Sequence, residues 1–211
     1  YHEYVFRDGK LVGDFDNMYR HAREVPWRQD AQWAAWHAQT GLLMLTAHAP
    51  YGSILEVGCG LGYFAAQLRA SAAARGRGGV DAFDVSPEAI RQARRKHRGI
   101  VFYADDIASP KFCPRRAYAL VVLRDVLWYV IPQFDTALAN IAAAVAPGGW
   151  LYINQSFPAL ERPFIGKHVL PSPEALMARL QGYVAVETAL VRNHERPADG
   201  PIFHVLARKP A

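Results

Sequence analysis

Ile54-Leu55-Glu56-Val57-Gly58-Cys59-Gly60-Leu61-Gly62-Tyr63-Phe64 carries the signals of a strand, a tight turn and a helix in quick succession. Residues 53–57 form the apolar, β-branched run of a buried strand, and helix-like sequence starts at Tyr63. Between them, three glycines at alternate positions let the backbone turn sharply and approach a ligand. Such a turn presents free N–H groups at a helix N-terminus.

Two ligand classes use this geometry: dinucleotides and the amino-acid end of S-adenosylmethionine. A Gly-x-Gly-x-x-Gly fingerprint beginning at Gly58 needs a glycine or alanine at position 63, where Tyr63 stands. The spacing Glu56-x-Gly58-x-Gly60-x-Gly62, with an acid two residues before the first glycine, resembles motif I of the class I S-adenosylmethionine-dependent methyltransferases.

After this turn, strand and helix signals alternate. Strands are expected at residues 80–85, 100–103, 118–123 and 150–154. The run at 118–123 is continuously apolar and so belongs at the centre of a sheet covered on both faces. Ser86 as N-cap, Pro87 as first helical residue and Gly99 after the end punctuate one helix. Another starts near Pro132, carries Phe134, Leu138, Ile141 and Val145 on one side, and stops at Pro147-Gly148-Gly149. This α/β alternation argues for a mostly parallel sheet with helices on both faces. A further helix starts at Ser172, and two β-like runs at 183–191 and 202–207, joined by a turn-rich segment, close the chain as a hairpin.

Residues 1–50 precede the first core strand. Residues 4–12 form a small hairpin turning at Asp8-Gly9, and helical patterns at 14–21 and 30–48 flank Val25-Pro26-Trp27. Trp33, Trp36, His37, Thr40, Leu43 and Met44 recur at helical intervals, which suits packing on the core or a lid over a ligand. The expected division is therefore 1–50 as hairpin and helical lid and 51–211 as the catalytic domain, in one globular unit.

The 211 residues suffice for one full core, and 51% apolar with 20% charged residues is an ordinary globular composition. No apolar run approaches a membrane span and no secretory segment is visible, so a cytoplasmic protein is expected if Tyr1 lies near the natural start. Two cysteines, Cys59 and Cys113, make no disulfide framework. The net charge of +5 owes much to Arg91, Arg94, Arg95, Lys96, His97 and Arg98 at one helix end, a solvated terminus favoured by the helix dipole. No nucleic-acid or membrane partner is expected, and a homodimer stays open.

In open α/β sheets, ligands bind beyond the carboxyl ends of the strands. Those ends carry Glu56, Asp84, Asp105-Asp106-Ile107 and Arg124-Asp125 in succession. Asp84 can meet two ribose hydroxyls, and a carboxylate of Asp105-Asp106 with a backbone N–H can meet adenine. The methyltransferase resemblance, through its usual Asp-hydrophobic pair, favours Asp106-Ile107 over Asp105. The methyltransferase resemblance covers roughly residues 53–208. It implies a Rossmann-like three-layer sandwich whose seven-stranded sheet has an antiparallel last strand. Pro26-Trp27-Arg28 and Leu123-Arg124-Asp125-Val126-Leu127-Trp128-Tyr129 are also similar to the nodulation-type N-methyltransferases and to sugar and natural-product methyltransferases. These relatives usually have Ser-Glu-Val-Leu-Tyr-Tyr where Arg124-Asp125-Val126-Leu127-Trp128-Tyr129 stands, which keeps a carboxylate and changes the aromatic wall.

The resemblance implies S-adenosyl-L-methionine as cofactor, held by Tyr19, Trp27, Glu56, Gly58, Cys59, Gly60, Asp84, Val85, Asp106, Ile107 and Arg124. The acceptor is a small polar metabolite methylated at oxygen or nitrogen. Candidate proton acceptors are Asp125, Tyr129, His37 and His168, the last in a long connection with Glu161, Arg162 and Lys167. No metal is expected. The alternatives are a nucleic-acid methyltransferase using the basic helix end and a non-catalytic cofactor-binding partner.

Overall fold

In the computed structural model, residues 2–31, 36–74, 79–158, 165–192, 194 and 200–211 are described. Trp33, Glu161 and Arg162 lie outside them. Two-residue strands Phe6–Arg7 and Lys10–Leu11 form the expected hairpin around Asp8 and Gly9, both at positive φ. Helix α1 (Phe15–His21) follows, capped by the Asp14 carboxylate on the Asn17 N–H, and then α2 (Trp36–Ala47).

The body begins with β1 (Ile54–Val57) and α3 (Tyr63–Ala70), then β2 (Val80–Asp84), α4 (Pro87–Lys96) and β3 (Ile100–Ala104). It continues through β4 (Tyr118–Arg124), α5 (Phe134–Ala144), β5 (Val145–Ser156), α6 (Pro173–Arg179), β6 (Val184–Val191) and β7 (Ile202–Arg208). The seven strands lie in the order β3-β2-β1-β4-β5-β7-β6. Pairing is parallel from β3 to β5, and β7 runs antiparallel to both of its neighbours. The fold is the Rossmann-like sandwich expected.

Alternation within β4 shows how the layers form. Val121 and Leu123 face a core shared with Phe134, Ile141 and Leu176 from α5 and α6. Leu120 and Val122 face the opposite core, with Leu45 of α2, Phe64 and Leu68 of α3 and Ile90 of α4. All four are fully buried, as the continuously apolar run requires. A third, smaller cluster joins the N-terminal segment to the body through Val5, Met18, Tyr19, Leu61 and Ala89.

Several boundaries differ from expectation: residues 4–5, expected in the hairpin, belong to a short helix (His2–Val5), and residues 30–31, expected in a helix, form a turn. Helix α5 stops at Ala144, and Val145 already pairs with Tyr118, so Pro147-Gly148-Gly149 is an irregularity inside a long β5 rather than its lead-in. Helix α4 ends at Lys96 because His97 takes an extended conformation, two residues before Gly99 supplies the left-handed turn.

Candidate active site

The carboxyl ends of β1 to β4 open into a cavity of about 470 Å³, roofed by Leu11, Val12, Phe15, Tyr19 and Trp27 of the N-terminal segment. Glu56, Gly58, Cys59, Asp84, Val85, Asp106, Ile107, Arg124, Asp125 and Tyr129 all line it. Gly60 lies buried behind the wall. His37 and His168 are not among the lining residues, and His168 is exposed.

At the β1 end the Glu56 residue is 3% exposed and its Oε2 has no hydrogen-bond partner among the described residues. Burial pushes its pKa up to about 8, against the pull of Arg124 and of the Ala65 backbone. Asp84 is equally buried but well satisfied. Its Oδ2 accepts from the Gly60 N–H at 2.8 Å and its Oδ1 from the Ser86 N–H at 2.9 Å. The acid expected to meet ribose hydroxyls therefore also pins the glycine turn.

The glycines are read mainly by the protein itself. A Cβ on Gly58 would stand 2.6 Å from Val126 Cγ2, and one on Gly62 would meet the Phe102 ring at the same distance. A Cβ on Gly60 would lie 2.5 Å from the Gln29 amide and 2.7 Å from Tyr19 Oη. The middle glycine is a notch for the roof, a role invisible in the fingerprint.

The β4 end has a different construction. Asp125 sits at φ 52°, a left-handed backbone that a non-glycine residue holds only when its surroundings over-determine it. Its N–H donates to the Asn154 carbonyl at 2.8 Å, and its Oδ1 accepts from the Ser156 N–H at 2.7 Å and from Gln155 Nε2 at 3.4 Å. Gln155 is fully buried and accepts the Leu127 N–H through Oε1 at 3.2 Å. Oδ2 of Asp125 has no hydrogen-bond partner among the described residues. The same cavity is lined by aromatic rings: Tyr129 meets Phe15 edge-on at 5.3 Å and Trp27 at 5.8 Å between centroids. Trp27 and Arg28 also have positive φ, so the roof turns sharply where it meets the cavity.

Behind this wall runs a buried polar row. Arg124, Asn154 and His204 are paired in register across β4, β5 and β7. Tyr152 Oη and His204 Nδ1 are 2.7 Å apart, beneath Gly41 of α2, where a Cβ would strike the tyrosine oxygen. Burial, then His37 and Arg124, lowers His204 to about 4, so it is neutral. His37 lies one helical turn before Gly41. Burial and Arg124 lower its pKa while Asp125 raises it.

Sequence reading overlooks Gln29, Gln155, Asn154 and His204. Their residue types carry no motif, and only burial gives them importance. The basic helix end, in turn, is partly engaged: Arg91 pairs with Glu88, and Arg94 donates twice to the Phe102 carbonyl.

Residues 19–191 match the family model described as a methyltransferase domain. The chain belongs to this methyltransferase family. Nodulation protein S of Rhizobium tropici is 34% identical over 137 residues, 62% of this chain, and the match spans only 54% of that relative. The N-methyltransferase NodS from Bradyrhizobium japonicum WM9, solved in complex with S-adenosyl-L-homocysteine, superposes with a TM-score of 0.71 at 24% identity. That superposition covers 93% of this chain and 100% of NodS. The [4+2]-cyclase SpnF gives 0.64 at 19% identity, covering 85% and 82%. A methyltransferase-domain fold thus also houses a cyclase, and function must be argued from the site.

Proposed function

We propose that this methyltransferase-family chain transfers a methyl group from S-adenosyl-L-methionine to a nitrogen or oxygen of a small polar metabolite, with an amine nitrogen favoured. The cofactor is S-adenosyl-L-methionine. Its fit rests on the Glu56 carboxyl, which is buried at the cavity wall with one oxygen unpartnered among the described residues. Such a group needs a cationic N–H donor to remain ionised at neutral pH, and the ammonium of the methionine portion is one. Asp84 has lone pairs left for ribose hydroxyls, and Val85, Asp106 and Ile107 supply the adenine wall. Gly58 and Cys59 complete the floor, Gly60 holds the turn behind them, and Tyr19 and Trp27 close over it.

When bound, the cofactor supplies a methyl group activated by its sulfonium. The protein's share is positioning and exclusion of water, without a metal. Asp125 has one oxygen tied down and the other available to hold an acceptor's N–H or O–H and take its proton. Its setting between a carboxylate and the rings of Trp27 and Tyr129 suits a cationic amine, which both attract. The N-methyltransferase relatives agree with that choice of atom. Arg124, stacked 4.1 Å over Phe64, lies between the two ends and lowers the Glu56 pKa. Tyr129 is a wall, and His37, outside the cavity lining, assists through its electrostatic coupling to Arg124 and Asp125.

Titration calorimetry with S-adenosyl-L-methionine and S-adenosyl-L-homocysteine tests the cofactor; binding of neither would end this reading. Turnover with an aminosugar set against its hydroxyl counterpart tests the atom. Methylation of the hydroxyl compound alone would reverse the choice, and cofactor binding without turnover across an amine panel would favour a non-catalytic partner.

A further inference from the structure

Among the described residues, three side chains tie the roof to the body: Asp16, Gln92 and Gln29. Asp16 Oδ1 accepts from Ser86 Oγ at 3.0 Å and from the Glu88 N–H at 2.8 Å, adding a second acceptor at the start of α4. Gln92 Nε2 donates to the Tyr19 carbonyl at 3.0 Å. The third tie is different, because it reaches the glycine turn. Gln29 Oε1 accepts the Leu61 N–H at 2.9 Å, and its Nε2 donates to Tyr19 Oη at 3.0 Å.

The orientation of that carboxamide is fixed by chemistry. Only its oxygen can meet the Leu61 N–H, so its nitrogen must face the tyrosine. Tyr19 Oη therefore accepts from Gln29, and its own proton has to point elsewhere. No acceptor for it is found among the described residues, and the ring lines the cavity. We infer that Gln29 is a positioning residue for the cofactor: it fastens the roof to the glycine turn and directs the Tyr19 O–H into the cavity as a donor. Burial, then Asp84, holds the phenol well above its ordinary pKa, so the donor stays protonated.

This inference rests on the cofactor reading above, and calorimetry with S-adenosyl-L-homocysteine separates the two. If the wild-type chain does not bind, the cofactor reading falls. If it binds, Gln29→Ala and Tyr19→Phe should each weaken binding about tenfold, and the double variant should lose far less than the product, because one residue acts through the other. Gln29→Glu keeps an acceptor for Leu61 but draws the tyrosine proton toward itself. It should weaken binding in the wild-type background and have little effect in the Tyr19→Phe background. Independent losses in the double variant, or unchanged affinity with only a lower melting temperature, would overturn the role of Gln29.

Discussion

The two ends of the cavity solve the same problem, holding a carboxylate where a ligand needs it, by opposite means. At the β1–β2 end, Glu56 and Asp84 stand on regular strands, are almost wholly buried, and face a turn whose glycines the protein fills from behind. At the β4 end, Asp125 sits just past the strand in a left-handed conformation, clamped by Ser156 and Gln155, with one oxygen unpartnered among the described residues and the roof's Phe15 and Trp27 lining the same cavity. The first end is dominated by desolvation and the second by backbone strain plus aromatic contact. Regular strand ends suit a donor whose shape never changes. A strained residue under a separate roof lets acceptor preference change without disturbing the sheet.

The sharpest way to break this division is to substitute each carboxylate and ask which constant moves. Asp125→Asn keeps an oxygen for the Ser156 N–H and removes the proton acceptor. Turnover should fall about 10²- to 10⁴-fold, the range for a positioned general base, with cofactor affinity unchanged by calorimetry. Asp84→Ala should do the reverse. Losing ribose contacts weakens cofactor binding by about 1–3 kcal/mol. Stranding the buried Gly60 and Ser86 N–H groups also lowers stability, by about 1–3 kcal/mol for each group. If Asp125→Asn weakened cofactor binding as much as Asp84→Ala, the two ends would not be functionally distinct.

Legibility in the sequence follows the same line. The mostly parallel sheet, the closing hairpin and the strand-end acids were readable because buried parallel strands leave continuous apolar runs and the glycine turn has fixed spacing; the order of the strands was not. Ser86-Pro87 marked its helix start for an equally local reason. The roles of Gln29 on Gly60, Gln155 on Asp125 and His204 under Gly41 were not readable. Each joins residues more than 29 positions apart or depends on a single notch. Asp125 gave no sign of its positive φ, since the strain is imposed by β5 and not by its own neighbours.

Titration sharpens the comparison further. The folded pKa of Glu56 is raised to about 8, so its stabilising contribution is full below its ordinary value and is lost as pH rises through 8. The loss amounts to about 3–5 kcal/mol for the ligand-free chain. His204, depressed to about 4, acts the other way: stability falls by about 3 kcal/mol as pH drops from 6.5 toward 4. The two contributions oppose each other between pH 4.5 and 6.5, so the ligand-free protein should melt highest in that window and lose stability from pH 6.5 to about 8 through Glu56. Glu56→Gln should remove the alkaline limb and leave the acid one. S-adenosyl-L-homocysteine, bringing an ammonium, should lift the wild-type alkaline limb and do little for the variant. An alkaline limb that persists in Glu56→Gln would assign it to another group.

The smallest difference expected is between the two histidines. His37 lies on the face of α2 that meets the sheet, one turn before the notch at Gly41, and both Arg124 and Asp125 act on its pKa. His168, like His37, lies outside the cavity lining, but it stands on an exposed turn, which makes it the weaker candidate despite its place in a connection on the ligand side. His37→Ala should lower turnover by about tenfold, the low end for a group that assists the main base, and should flatten the acid side of the rate profile. His168→Ala should change turnover by less than about twofold, as for a surface substitution. Steady-state rates from pH 6 to 9 decide between them. If His168→Ala proves the more damaging, the acceptor reaches beyond the cavity onto the turn after β5, and recognition is shared between the roof and that turn.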